Sequence, residues 1–503
     1  MLVAPWFEAS SALAGAPGVR KLSVSGDQWR EAAQAFASAG GRLLALWADQ
    51  TAAAADLELH AAFSASPGVL VLDLRAGESA VAGDAAADAV AQYSGLQDLF
   101  PAASRMQRAV ADQFGVYSTD ADRRPWLKHA EGSGGYPFVR VEGDGVHEIP
   151  VGPVHAGIIE PGHFRFSVVG EKVLRLEERL GYVHKGIERR FTELSVYDAH
   201  RLAARVSGDT AVGFSWAYAQ ALEGLSQTEV PMRGAWLRAL CLELERAQNH
   251  LGDLGALGND AGFAFGLAQF SRLKELLLRA CETAFGQRYL LDAIVPGGMN
   301  ADLPAAGAAA LAQCAQMIGA ETALLRDIYD EHSGLRGRFV GAGVVTPALA
   351  ARLGLIGLAG RASGQAYDLR IDMPGVPYGE LEPRKFGGTA GDVAARVAIR
   401  FDELLESCRL VLRIIEGLPA GAHRVAVPPP PAHELGLGLV EAWRGPVLVA
   451  LVAGPAGSIR RCHPHDPSWQ NWPVLEHAII DNIVPDFPLI NKSFNLSYSG
   501  HDL

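Results

Sequence analysis

Three long stretches, Arg233 to Leu254, Ala268 to Arg288 and Ala305 to Ser333, repeat apolar residues every three to four positions. That spacing follows the 3.6-residue turn of an α-helix, so each stretch carries an apolar stripe that a neighbour must cover. Three such stripes in succession predict a helical bundle, joined by a fourth long helix from Asp392 to Gly417. Pro428 to Pro431 then form a stiff spacer that neither a helix nor a central strand accommodates. Beyond it, Gly445-Pro-Val-Leu-Val-Ala-Leu-Val reads as a buried strand. The tail is predicted to hold one helix near 473 to 483 and an irregular stretch to Leu503.

The first part reads differently. From about residue 18 to 130, short apolar strands such as Val69-Leu70-Val71-Leu72 alternate with Ala-rich helical stretches, as in a small α+β module. A Gly-rich polar segment, EGSGGYP and then EGDGVHE, follows and reads as a linker. The expected organisation is a domain over 1–130, a linker over 131–147 and a second unit over 148–503. The fold class is α+β: a small N-terminal α+β domain, then a mainly helical domain with peripheral β-strands. No internal repeat is visible.

Composition narrows the partners. Forty-four Lys and Arg against 56 Asp and Glu give 44 − 56 = −12, which argues against nucleic acid as a partner. The five cysteines, Cys241, Cys281, Cys314, Cys408 and Cys462, are scattered and form no C-x-x-C pair, unlike a secreted disulfide framework. The first eighteen residues lack Lys and Arg and place Glu8 in the apolar run, wrong for a secretion signal. No apolar run approaches the roughly eighteen residues that a membrane span needs, so membrane association is expected through partners.

Several segments carry a family likeness: FPAASRMQRAVADQFGV (100–116), GPVHAGIIEPGHFRF (152–166), GYVHKGIE (181–188), LELERAQNHL (242–251) and RASGQAYDLR (361–370). The end, from NWP (471–473) through DFPLINKSFNLSYSGHDL (486–503), continues the series. Together they resemble the catalytic subunits of membrane-associated nickel-iron hydrogenases of the formate hydrogenlyase type, relatives of the complex I 49 kDa subunit. The first segment resembles the end of the complex I 30 kDa subunit, which such hydrogenases carry fused at the N-terminus. The resemblance implies a 30 kDa-like domain over 1–130 and a large-subunit-like domain over 148–503. It also implies a peripheral place on the cytoplasmic side of the inner membrane. The implied partners are a small iron-sulfur subunit, which would hold the iron-sulfur cluster, and membrane proton-channel or antiporter-like subunits.

The resemblance further implies a metal site of four thiolates in two C-x-x-C pairs, and here both pairs are gone. The first falls on Ser207 and Thr210, the second on Ser497 and Gly500. Soft thiolates, with pKa values of about 8.5 before the metal lowers them, hold nickel and low-valent iron. A serine hydroxyl is a hard donor that stays protonated, and glycine offers no side chain. No nickel-iron centre is expected, and no cofactor is assigned to this chain.

In the quinone-binding relatives a histidine follows Gly-Pro-x-His and a tyrosine faces the headgroup. His155 and His163 are candidates for the first, whereas Val212 falls at the second. Quinone remains a candidate acceptor. Glu188 sits where the family places a carboxylate tied to proton movement; a helix-start carboxylate is the plainer alternative. Glu160, His163, Glu188, Arg205, Asp209, Asp368, Arg370 and His501 come from separate segments and are expected to line one polar cavity, with Glu188, Arg205, Asp209, Asp368 and Arg370 as its working groups. Loss of Asp209 or Arg370 is then expected to impair turnover with assembly intact. The competing reading is a buried salt-bridge network.

Glu243, Glu245, Arg246 and His250 recur at helical spacing and are expected to pair structurally. Cys462-His463-Pro-His465 is the one Cys/His cluster, but no second ligand pair accompanies it, so zinc is not expected. Gly354 to Gly364 lacks a Walker lysine and a strand before it, so NAD would bind another subunit. Two functions remain: an oxidoreductase subunit of the NADH:quinone oxidoreductase and hydrogenase kind, passing electrons to quinone or coupling redox state to protons, or a non-catalytic subunit bridging the iron-sulfur and membrane modules.

Overall fold

A computed structural model describes residues 2–50, 57–76, 92–127, 135–155 and 159–503. The four long helices form where the periodicity placed them: Met232–Asp260, Ala264–Phe285, Ala305–Glu331 and Val393–Gly417. Asp392 caps the last of these, its carboxylate accepting the Ala395 N–H at 2.8 Å. The first runs six residues past Leu254 because its late glycines are contact points. A Cβ at Gly255 would stand 3.2 Å from the Cβ of Phe270, and one at Gly258 would stand 2.3 Å from the Tyr329 hydroxyl. The 264–285 helix and Tyr329 close in at those gaps, which supplies the packing that the apolar stripe lacks there.

A fifth helix, Ala211–Leu225, lies between this bundle and a sheet ordered Ile459–His465, Gly445–Ala453, Leu435–Ala442 and Ala14–Gly15. Gly445–Ala453 is buried at all nine positions, matching its unbroken apolar sequence. Ala14–Gly15 joins the sheet edge in parallel with Gly436 and Leu437, so the N-terminal segment is built into the second unit's sheet. The N-terminal unit itself is a five-stranded sheet ordered Ser11–Ala12, Val19–Val24, Gly68–Ala76, Leu57–Ala65 and Arg42–Gln50. Helices Gly26–Ser38 and Ala103–Phe114 belong to this unit. Part of the predicted linker, 131–134, lies outside the described residues. Val146–Val151 leads a three-stranded sheet with His163–Val169 and Lys172–Arg179.

The tail departs from expectation. The helix near 473 to 483 is instead Ser468–Ala478, with Pro473 inside it. Asp466 starts the turn by accepting the Ser468 N–H at 2.8 Å, so the proline does not mark the first residue. Beyond it the chain is helical at Phe487–Phe494 and Ser499–Asp502, where an irregular stretch was expected. Among the described residues no helix is long and apolar enough to cross a membrane.

Candidate functional site

The four positions where the family resemblance places cysteines converge. Ser207 and Ser497 lie 2.8 Å apart, Oγ to Oγ, although 290 residues separate them in sequence. Ser497 Oγ also accepts the Gly500 N–H at 2.9 Å. Asp209 accepts from the Ser207 hydroxyl at 2.9 Å and from Thr210 at 3.2 Å. Arg444 clamps Asp209 with both terminal nitrogens, at 2.7 and 2.5 Å, and its Nε donates to the Asn495 carbonyl at 2.5 Å. Burial opposes ionisation of Asp209, but Arg444 and the two hydroxyls outweigh it and hold its pKa down to about 2. The locus is a small, closed knot of hydroxyls anchored by an ion pair.

Its donor set does not fit a nickel-iron group. Ser207, Thr210 and Ser497 offer hydroxyls already committed to one another or to Asp209, and Gly500 offers hydrogen. A Cβ on Gly500 would stand 2.8 Å from Asp466 Oδ2 and 2.9 Å from Ser497 Oγ, so even the first atom of a cysteine has no room. Among the described residues no group of three His, Cys, Asp or Glu side chains is placed to hold a metal ion, Cys462, His463 and His465 included.

The remaining residues of the expected cavity do not share one space. Asp368 and Arg370 sit in a separate buried network with Glu243, Arg246, Arg361, Glu403 and Glu441. Arg370 holds Asp368 at 2.7 Å and Glu243 at 3.1 Å; Arg361 holds Glu403 at 2.7 Å and Glu441 at 3.0 Å. Three guanidiniums thus face four carboxylates. The imbalance falls on Glu441, whose pKa burial raises, with Asp368 adding to it. Tyr378 and Ser407 complete the shell of Glu243, each donating at 2.7 Å. Apart from one terminal nitrogen of Arg361, these groups are satisfied by one another and by their neighbours, which makes them scaffold.

Arg205 points away from this interior and pairs with Asp292 at 2.6 Å, half-exposed. Glu160 is exposed and accepts the Ser499 N–H at 3.2 Å. His155 and His163 are half-buried beside Pro153 and Gly152, whose carbonyls they approach at 3.2 and 3.3 Å. Val212 is buried, and its backbone N–H donates to Glu245 at 2.6 Å. At the tyrosine position of the quinone-binding relatives this chain therefore supplies a helix N–H and an apolar side chain.

Glu245 caps the Ala211–Leu225 helix through that bond and one from Gly213 at 3.2 Å. Burial raises its pKa to about 8, against those bonds. A raised folded pKa means that the stability held below the usual 4.5 is lost as pH climbs through 8. The stability of the native protein is thus expected to fall between pH 5 and pH 8.5 by on the order of a few kcal/mol, and its thermal midpoint to fall with it. Glu245→Gln, which stays neutral, should show a flatter profile; parallel thermal melts across that range check it.

Glu188 opens the third region. It starts the Ile187–Phe191 helix, as a carboxylate at an N-terminus would, yet its oxygens are taken by other groups: His463 Nδ1 at 2.6 Å and Arg461 at 2.9 Å. Gln113, from the N-terminal unit, reaches it with an amide donor at 2.5 Å. Burial again works against the carboxylate, and Arg461 with His463 outweighs it and sets its pKa at about 2. A cleft of about 760 Å³ lies outside, lined in part by Lys185, Glu188, Arg189, Arg460 and Arg461. His501 is fully buried deeper in, stacked on Trp469 at 4.0 Å, and burial lowers its pKa to about 4. The sequence reading missed Arg444, Arg461 and Trp469. No local pattern marks them, because their partners lie far along the chain.

The scaffold and the convergent pair of former ligand loops define a class: large subunits of hydrogenase and complex I type. Comparison with known proteins agrees. Residues 260–435 match the family model of the respiratory-chain NADH dehydrogenase 49 Kd subunit. The carbon monoxide-induced hydrogenase of Rhodospirillum rubrum is 31% identical over 353 residues, 69% of this chain and 97% of that protein. Formate hydrogenlyase subunit 5 of Escherichia coli (strain K12) is 32% identical over 369 residues, 73% of this chain. The match spans 65% of that protein's length and, for hydrogenase-4 component G of the same organism, 63%. The solved structure of the membrane-bound sulfane sulfur reductase, an archaeal respiratory membrane complex, contains a chain with the same fold, at TM-score 0.67 and 24% identity, covering 71% of this chain and 98% of that one. The protein belongs to the family of hydrogenase large subunits and complex I 49 kDa subunits.

Proposed function

We propose that this chain is a peripheral subunit of a membrane-associated, multi-subunit redox complex, working without a nickel-iron centre and serving electron transfer to quinone or redox-coupled proton movement. Its partners on this reading are an iron-sulfur subunit, which holds the cluster, and membrane subunits of the proton-channel or antiporter-like kind. The observation that carries it is the 2.8 Å hydrogen bond between Ser207 and Ser497, which directly links the two loops where the resemblance places metal ligands. Proton coupling has the better support of the two roles, since the Glu188 carboxylate borders an open cleft and His463 is hydrogen-bonded behind it. For quinone the support is His155, half-buried with Nε2 unpartnered, and His163.

The test is metal analysis of the purified complex joined to infrared spectroscopy for iron-bound carbonyl and cyanide. The expected result is no nickel and no such bands. Nickel approaching one per chain, with the bands, would overturn the reading. A second reading, a bridging subunit with no reaction of its own, is favoured by the complete mutual pairing of Asp368, Arg370 and Glu243. Retention of complex turnover and its pH dependence in Glu188→Gln would favour it.

A further inference from the structure

Behind Glu188 lies a small enclosed cavity of about 20 Å³, between the Arg42–Gln50 strand, the Ala103–Phe114 helix and the Ile459–His465 strand. Its walls include Leu46, Ala109, Val110, His463, His465 and Trp469. Three of these carry a buried nitrogen with no hydrogen-bond partner: His463 Nε2, His465 Nδ1 and Trp469 Nε1. Buried polar atoms are nearly always satisfied, so three orphans around one cavity ask for an occupant.

Their chemistry says which. Ionised Glu188 accepts at His463 Nδ1, so that nitrogen carries the proton and Nε2 is a bare lone pair. Gln470 donates through its amide nitrogen to the Leu44 carbonyl and presents both amide atoms to His465 Nε2, the nitrogen at 3.1 Å and the oxygen at 3.2 Å. His465 Nδ1 therefore meets the cavity as an acceptor in one tautomer and as a donor in the other. Trp469 Nε1 can only donate. The occupant must donate to His463, accept from Trp469 and match either tautomer of His465, which a metal ion, a halide or an ammonium cannot do and one water molecule can. The volume suits about one water, which needs roughly 10 to 15 Å³ of such space. Ring stacking fixes the donors and acceptors in place: Trp47 lies on His463 at 5.5 Å, and Trp469 lies on His465 at 5.9 Å.

We propose that this cavity is a hydrated proton-exchange site, a water bridging His463, His465 and Trp469 and connecting the interior to the open cleft at Glu188. The cavity and the cleft share Gln113, Leu127, His184, Glu188 and Leu503 in their walls. A proton on His463 Nε2 makes an imidazolium held by Glu188; the water takes that proton while giving one of its own to His465 Nδ1 in the tautomer that leaves this nitrogen bare, so the water is restored. The proposal rests on the redox-coupled reading for its purpose, but its test requires no turnover.

Hydrogen at ring carbon C2 of histidine exchanges with deuterium oxide only where the ring can be protonated and hydroxide can reach it. His250 is the internal comparison. It too is buried and carboxylate-paired, at 3.0 Å from Glu403, with an unpartnered Nδ1 and a pKa lowered by burial, yet it lines none of the cavities described above. Mass spectrometry of the full chain after days in deuterium oxide is expected to show His463 exchanging several-fold faster than His250. Equal, slow exchange at both would overturn the proposal. Ala109→Leu, which fills the cavity, should bring His463 down to the His250 rate; unchanged His463 exchange with His250 still protected would also overturn it. An unfolded variant would reveal itself by fast exchange at His250, and the native comparison then decides alone. Nickel with iron-bound carbonyl and cyanide in the complex would sink the functional reading without touching this result.

Discussion

Arg370→Ala is expected to lower the free energy of unfolding by about 3 to 5 kcal/mol, because it removes the cation shared by two buried carboxylates. Asp368 and Glu243 are both almost wholly buried, and each uses Arg370 as a partner at 2.7 and 3.1 Å. Arg370 itself is held as a cation well above its ordinary range: burial opposes it, and Asp368 and Glu243 overcome the opposition. Without the Arg370 side chain, Asp368 keeps the backbone N–H of residue 370, at 3.0 Å, and the longer contact to Arg361, at 3.9 Å. Urea titration of the purified chain checks the figure, and adding Asp368→Asn in the same chain should recover part of the loss, since one stranded charge disappears. The sequence pattern suggested impaired turnover with assembly intact. Burial reverses that order, and poor folding is expected before any effect on turnover can be read. Asp209→Ala falls under the same physics, because it leaves the buried Arg444 cation unpaired.

Gly438→Ala is expected to abolish soluble folding or to destabilise the chain beyond the ~1 to 3 kcal/mol usual for overpacking. The Ala211–Leu225 helix rests on the Leu435–Ala442 strand with almost nothing between the backbones. A Cβ at Gly438 would stand 1.7 Å from the Ala217 carbonyl oxygen, and one at Gly436 would stand 2.6 Å from that of Ala221. Neither obstacle is the end of a flexible side chain, so a methyl group must push helix and sheet apart. Because that helix starts at Thr210 and Ala211, the displacement would also reach the hydroxyl knot. Gly337→Ala, at a helical position with open space around the glycine, should be neutral or slightly stabilising. Soluble yield and thermal melts of the two variants side by side test the contrast.

Much of the fold was legible because it depends on local order. Arg233 to Leu254, Ala268 to Arg288 and Ala305 to Ser333 show their helices through periodicity alone, and Asp392 marks a start because a side-chain cap acts within three residues. Where the sequence misled, the deciding contact was distant. Pro473 looked like a helix start because the turn begun by Asp466 lies outside the apolar pattern. Glu188, Asp209, Asp368 and Arg370 were recognisable as charged residues in family-like segments, but their expected meeting in one cavity did not survive. Each found a nearer counter-ion: Arg461 for Glu188, Arg444 for Asp209, and one another for Asp368 and Arg370.

Residue identity alone removed the four thiolates, since no arrangement of Ser207, Thr210, Ser497 and Gly500 supplies a soft donor. It also placed the chain in its family and drew the long helices. Only the folded chain decided that Ser207 and Ser497 close on each other, that Arg205 lies outside, and that His463, His465 and Trp469 leave bare nitrogens around one small cavity. The physical reason is range. Helical periodicity and ligand chemistry belong to a few adjacent residues, whereas the burial and the ion-pair partners that together set the charges in this site come from segments brought together from hundreds of residues apart.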